Sequence, residues 1–391
     1  MIPHLRTRLG VHMFVSGNII GVWTSAMMEY LHTRGFGDYQ ISLGASTFPI
    51  AAIVSSMVAG QIADRRMASE KLMAICSLGS GVLLLLAWQR TEFLSLWSLL
   101  LGAALLASPV IPLGTAMSFR HLEDAARDFP LVRVWATIGW VTGALLLSGW
   151  QHLTGRGLGD AMALASALSF LNAGYSLTLP HTPPTRDAKG RSAAGKAVAM
   201  LRDPGFAVFT GLLLLLSVFG AFYYRDIAIF MRATGVAENN LSAVLSLGQG
   251  FEIVMVFALP VLYARFGAKG TIAFGMAAWT IRYVFFALGG PFWLLIVGVA
   301  IHGICFACGR IAATIYVDRV CEKDARASAH SLLAVTVDGA GSLFGSLLAG
   351  AVARHYFAGA AWDWRSIWLI PAVGCGAVLV AFLAGFRPRP A

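Results

Sequence analysis

The amino-acid sequence predicts an all-α membrane protein of twelve transmembrane helices arranged as two six-helix bundles. Three observations lead there. Of 391 residues, 58% are hydrophobic and only 12% are charged, about half the charged share of an ordinary soluble domain, and the mean hydropathy is +0.72. The apolar residues fall into runs of about 20, the length that crosses a bilayer core of roughly 30 Å. The longest polar stretch, His181-Thr-Pro-Pro-Thr-Arg-Asp-Ala-Lys-Gly-Arg-Ser192, lies near the middle of the chain. Such a composition is foreign to a water-soluble enzyme.

The spans follow from apolar runs read against charge and Gly/Pro punctuation. The first, 9–31, exceeds a signal-peptide core and has no small-residue cleavage site after it, so it stays as a span. Spans 2 to 6 cover 41–63, 71–89, 94–118, 132–152 and 161–180. Residues 181–204 read as a cytoplasmic linker, which leaves 1–180 and 205–391 as six-helix bundles. Spans 7 to 12 cover 205–231, 240–264, 270–288, 292–317, 327–353 and 364–386. After span 2 comes Gly60-Gln-Ile-Ala-Asp-Arg-Arg66, and at the matching place after span 8 comes Tyr263-Ala-Arg-Phe-Gly-Ala-Lys269. Each is a tight basic turn, and the echo points to a duplicated half. Pro49, Pro109, Pro112 and Pro260 lie in or near span ends, where a missing backbone donor permits a bend. The glycines from Gly339 to Gly345 suit close helix contacts.

An even number of spans returns both termini to one side. With that side cytoplasmic, the inside loops carry nineteen Lys and Arg residues and the outside loops six, the asymmetry expected of a multi-pass inner-membrane protein with both ends in the cytoplasm. The net charge of +10 is therefore an orientation signal, and no nucleic-acid partner is expected. Cys76, Cys305, Cys308, Cys321 and Cys375 lie in or beside apolar segments and read as packing residues. Cys305 and Cys308 have no second Cys or His pair at metal spacing, so no metal and no cofactor are expected.

Charged side chains at bilayer depth cost roughly 2.5–3.5 kcal/mol each on insertion scales, so those retained face a water-filled cavity or a partner. In span 5, Arg133, Thr137 and Trp140 share one helix face and offer a cation, a hydroxyl and an aromatic plane to a flat polar solute; alternatively Arg133 snorkels to lipid phosphates. Span 8 carries Gln249 and Glu252. A carboxyl among apolar residues is desolvated, which suits it to taking up and releasing a proton, although a fixed ion pair with Arg282 is a second reading. Span 7 brings Tyr223, Tyr224, Arg225 and Asp226. The two tyrosines suit stacking on a substrate ring or anchoring at the interface. Span 10 brings His302, Phe306 and Arg310 on roughly one face, His302 as proton relay or packing residue. Asp338 in span 11 reads as a proton-coupling group alongside Glu252 and Asp226, or as the partner of Arg310 or Arg282. Gly17, Asn18, Gly21 and Trp23 in span 1 read as packing devices or as part of the cavity.

Several segments resemble the nucleoside:proton symporters, a branch of the major facilitator superfamily: Asp128-Phe-Pro-Leu-Val-Arg-Val-Trp-Ala-Thr-Ile-Gly139, Leu177-Thr-Leu-Pro-His-Thr-Pro183, Gln249-Gly-Phe-Glu252 leading to Leu259-Pro260, Arg326-Ala-Ser-Ala329 and Trp364-Arg-Ser-Ile-Trp-Leu-Ile370. The resemblance runs along almost the whole chain. It implies two six-helix halves that rock about a central site, with Arg133, Thr137, Gln249, Glu252 and Phe306 at positions that line the nucleoside site. Two departures bear on the substrate. The family pattern has an aspartate directly after the phenylalanine matching Phe306, where this chain has Ala307. In span 7 it has amide side chains, where this chain has Tyr223, Tyr224, Arg225 and Asp226. Asp338 or Asp226 is a candidate to replace the missing carboxylate.

The expectation is thus a monomeric secondary transporter in the inner membrane, whose partners are a nucleoside-like solute, a proton and the lipid bilayer. No ATP-binding signature of the G-x-x-x-x-G-K-[ST] type occurs, so an ion gradient supplies the energy. The rivals are an exporter of amphipathic compounds, a carrier of sugars or other polar metabolites, and an intramembrane enzyme or sensor on a transporter fold. Against an enzyme, the sequence has neither H-E-x-x-H nor a G-x-S-x-G elbow.

Overall fold

The computed structural model describes residues 4–184, 200–321, 326–358 and 361–387. Residues 185–199, most of the expected linker with its basic run, lie outside the described residues, as do Lys323 and Arg389. The fold is all-helical apart from one two-residue antiparallel hairpin that pairs Phe357 with Trp362. Eight helices among the described residues are long and apolar enough to cross a membrane: Ser69–Trp88, Phe93–His121, Asp128–Thr154, Pro204–Ala233, Glu238–Leu288, Phe292–Val320, Ala334–His355 and Trp364–Gly385. The remaining helices include Leu5–Thr24, Met27–Thr33, Asp38–Ala45, Thr47–Arg65 and Asp160–Ser176.

The chain divides into two compact units, Met1–Lys189 with Gly235–Ser246, and Gly190–Thr234 with Leu247–Ala391. Lipid tails are as apolar as leucine, so helices in a membrane associate by close packing of small residues and by interhelical hydrogen bonds. In the first unit Leu5–Thr24 crosses Ala125–Thr154 in this way. A Cβ at Gly17 or Gly21 would overlap the backbone of Ala136 or Trp140, and one at Gly139 or Gly143 that of Phe14 or Asn18. Asn18 Nδ2 then donates to Thr142 Oγ1 at 2.7 Å. Leu9, Met13, Met73, Met117 and Val132 fill the core of this unit.

The Leu177–Pro183 segment ties down helix ends. Glu70 accepts from the Thr182 backbone N–H at 3.0 Å and meets His181 Nδ1 at 2.7 Å. Ser69 N–H donates to Thr182 O at 3.0 Å, His121 Nε2 lies 2.8 Å from Thr182 Oγ1, and Arg120 donates to Pro183 O at 2.7 Å. Gly235–Ser246 joins this unit through its polar side chains: Glu238 Oε1 accepts from Leu158 N–H at 3.2 Å, Asn240 Oδ1 lies 2.8 Å from His152 Nε2, and Ser25 Oγ donates to Ser242 Oγ at 2.9 Å.

In the second unit, Pro204 occupies the first turn of the Pro204–Ala233 helix, where its missing N–H has no cost, and Asp203 Oδ1 caps it by accepting from Phe206 N–H at 2.7 Å. Helix Glu238–Leu288 runs 51 residues and is interrupted at Gly267, with φ 64° and ψ −175°, a backbone region open essentially to glycine alone. The interruption falls in the Tyr263–Lys269 turn read from the sequence. Two π-helical segments, Cys305–Ile311 and Ala334–Gly341, break the helices of spans 10 and 11. Such segments recur at functional sites. Gly341 and Gly345 set the second of these helices against Pro204–Ala233, next to Ser217 and Val218.

Candidate functional site

The residues singled out from the sequence form two groups, one in each unit. In the first unit, Arg133, Thr137 and Trp140 lie half-buried on the Ala125–Thr154 helix. The glycine-lined crossing with Leu5–Thr24 locks that helix, since Gly21 sits on the Trp140 backbone and Gly17 on that of Ala136. Trp135, between Arg133 and Thr137 in sequence, packs edge-on against Phe14. A cation, a hydroxyl and an indole are thus carried on a rigid support.

The second unit holds the larger group. Glu252 is 8% exposed, and the helix that carries it touches span 10 at backbone distance. A Cβ at Gly303 would overlap the backbone of Phe251 and Glu252, while Gly248 faces His302 Cβ and Val299 O. Two glycines, one on each helix, thereby set Glu252 beside the turn that begins with His302. Gln249, one turn away, is half-buried, and its Oε1 has no hydrogen-bond partner among the described residues.

Behind this contact lies an aromatic box around Arg282, which is fully buried. Its guanidinium carbon sits 3.6 Å from the Tyr223 ring centroid and 4.8 Å from that of Trp279, with Phe286 and Tyr283 at 5.6 and 5.9 Å. Arg282 Nη1 lies 3.1 Å from His302 Nδ1. A guanidinium only donates, so Nδ1 is the acceptor and a neutral His302 carries its proton on Nε2. His302 is buried and stacks on Tyr223, with centroids 5.2 Å apart. Tyr223 is likewise buried, whereas Tyr224 is exposed and packs edge-on against both Tyr223 and His302. Arg225 and Asp226, adjacent in sequence and fully buried, form an ion pair.

A cavity of about 100 Å³ opens in this unit, lined by Tyr224, Trp279, Cys305, Phe306, Arg310, Asp338 and Ser217 among others. Phe306 and Arg310 project from the first π-helical segment and Asp338 from the second. Arg310 grips Asp338 with both sides of a fork, Nε to Oδ1 at 3.2 Å and Nη2 to Oδ2 at 2.5 Å. Of the two partners the sequence allowed Asp338, the geometry provides Arg310. Ser217 Oγ donates to Val337 O at 2.6 Å, anchoring the second segment beside the pocket.

Trp279, Ser217 and the box around Arg282 were not singled out in advance. A signal existed for Trp279: with Arg282 and Phe286 it forms an i−3, i, i+4 pattern, which puts two rings on the face of one intramembrane charge. Ser217 left no such trace, because its partner is a backbone carbonyl in another helix.

Comparison with known proteins agrees along the full length. A family model described as nucleoside H+ symporter matches residues 4–390. A putative nucleoside transporter, YegT, of Escherichia coli is 31% identical over 97% of this chain and 93% of its own length. A xanthosine permease of the same organism is 30% identical over 97% and 95%. The crystal structure of the nucleoside transporter NupG superposes with a TM-score of 0.87 at 25% identity, covering 99% of this chain and 100% of the other.

Proposed function

The chain belongs to the nucleoside H+ symporter family, and from that premise we propose that it takes up a nucleoside together with a proton, by alternating access across the inner membrane. Glu252 carries the proposal. It is a carboxyl buried in an apolar helix and pinned by Gly248 and Gly303 to the helix that leads into the cavity wall. Protonation would remove the cost of carrying that charge through a closed state, so the carrier holding both solute and proton would cross more readily than one holding the solute alone. Asp226 and Asp338 each meet an arginine within the same unit, and they are secondary candidates for coupling.

The residues we assign to the substrate are Arg133, Thr137 and Trp140 in the first unit, and Gln249, Glu252, Phe306, Tyr224 and the Tyr223–His302 stack in the second. A base needs planes and directed polar groups, and these residues offer both. The chain would cross twelve times. An unbroken helix of the 51 residues from Glu238 to Leu288 would run about 77 Å at 1.5 Å per residue, far beyond a bilayer core, so the two helices that meet at Gly267 would supply two passes. The helix pairs within 5–33 and 38–65, and the helix Asp160–Ser176, would supply three more. Both termini would be cytoplasmic and the monomer the working unit.

The test is purified protein in vesicles, given labelled uridine and an inward proton gradient. Symport predicts accumulation above the external concentration that collapses with the gradient. An exporter of amphipathic compounds, or a carrier of other polar metabolites, predicts no accumulation of uridine.

A further inference from the structure

We infer that the Arg310–Asp338 pair is a specificity subsite that reads the cis-diol of a ribose; the inference rests on the nucleoside reading above. The pair differs from the other intramembrane charges described. Arg225 and Asp226 are fully buried, but Asp338 is 45% and Arg310 24% exposed, and both line the cavity. Each stands on its own π-helical segment, and Ser217 fixes the segment that carries Asp338.

A carboxylate offers about four acceptor sites. Arg310 takes one on each oxygen of Asp338, through Nε and Nη2, and leaves one on each. On the arginine, Nη1 lies outside the fork, buried and without a hydrogen-bond partner among the described residues. The pair therefore presents two acceptors while its charges cancel. A cationic ligand would compete with Arg310 and an anionic one with Asp338. A neutral ligand with adjacent hydroxyls suits it: each hydroxyl donates to one carboxylate oxygen. Phe306, one turn before Arg310, and Tyr224 and Trp279 on the same cavity supply apolar planes for the rest of such a molecule. A bound ligand would cover the pair and exclude water from it, so one lacking a hydroxyl would leave a carboxylate acceptor unsatisfied, and that is penalised more heavily than a missing apolar contact.

The experiment measures initial uptake of uridine and 2′-deoxyuridine by the full chain in cells without nucleoside carriers, for the wild type, Asp338→Asn and Arg310→Lys. The ratio of the two substrates is read within each protein, so expression cancels. Wild type is expected to favour uridine by about tenfold or more, Asp338→Asn to bring the ratio close to one, and Arg310→Lys, which keeps the carboxylate but loses the fork, to lower it. Equal handling of both nucleosides by wild type, or an unchanged ratio in Asp338→Asn, overturns the inference while leaving nucleoside transport intact. Uptake of neither by wild type overturns the nucleoside reading itself.

Discussion

Arg282 lies against the face of Tyr223, its guanidinium carbon 3.6 Å from the ring centroid, and donates across to His302 Nδ1 at 3.1 Å. The stack holds a permanent charge at the centre of the second unit with aromatic faces around it. Cation–π contacts contribute about 2 kcal/mol or more when desolvated, and only a flat guanidinium both stacks and reaches the histidine. Arg282→Lys is therefore expected to lower the stability of the folded protein by about 2 kcal/mol, seen as a lower melting temperature in detergent. An unchanged melting temperature would remove the box from the account.

The glycine crossing at Glu252 gives a second expectation. A methyl at Gly303 has no room against the backbone of Phe251 and Glu252, so Gly303→Ala should push the helices apart and abolish transport with Glu252 still present. Gly211→Ala is the internal control, since nothing lies within 4 Å of its added carbon. Uptake rates normalised to membrane protein would separate the two, and equal rates would count against backbone contact as the positioning device.

The Glu70 clasp offers a third. Removing its carboxylate strands the buried Thr182 N–H and frees His181. Loss of such a charged acceptor costs about 1–3 kcal/mol. Glu70→Ala should lower thermal stability and His181→Ala, at an exposed side chain, should lower it less. Protease cleavage near residue 181 in membrane fractions reports the same change, and identical cleavage patterns would contradict the clasp.

At the start of the last helix, the Ser366 hydroxyl and backbone N–H both donate to Asp363 and hold its carboxyl below the usual range. A group whose pKa is lower folded than unfolded stabilises the fold above its unfolded pKa and loses that contribution as pH falls through the folded value. Wild type should thus lose a small increment of stability on acidification that Asp363→Asn lacks at every pH. Melting curves of both proteins across the acid range would show it, and parallel curves would argue against the cap.

Much of this was readable in the sequence because hydropathy is a one-dimensional signal. The eight long apolar helices, the interruption in the Tyr263–Lys269 turn and the charges set among apolar residues all announce themselves along the chain. Interactions that depend on three dimensions did not. Arg282 was offered carboxylate partners because opposite charge is what a sequence displays. Its actual neighbours are rings contributed by three separate segments, around Tyr223, Trp279 to Phe286, and His302. The π-helical segments that present Phe306, Arg310 and Asp338 insert a single residue into a helix and leave no mark on its hydropathy. Gly235–Ser246 packs with the first unit through hydrogen bonds from Glu238, Asn240 and Ser242, residues that on their own read as an ordinary polar loop.

The central claim is that Glu252 couples the solute to a proton. The most direct measurement compares wild type with Glu252→Gln in cells lacking their own nucleoside carriers, following labelled uridine with and without an uncoupler. Wild type should show uncoupler-sensitive accumulation, and the variant should lose accumulation while retaining exchange of internal for external uridine. Accumulation by Glu252→Gln that the uncoupler still abolishes would contradict the claim and move the coupling proton to another group.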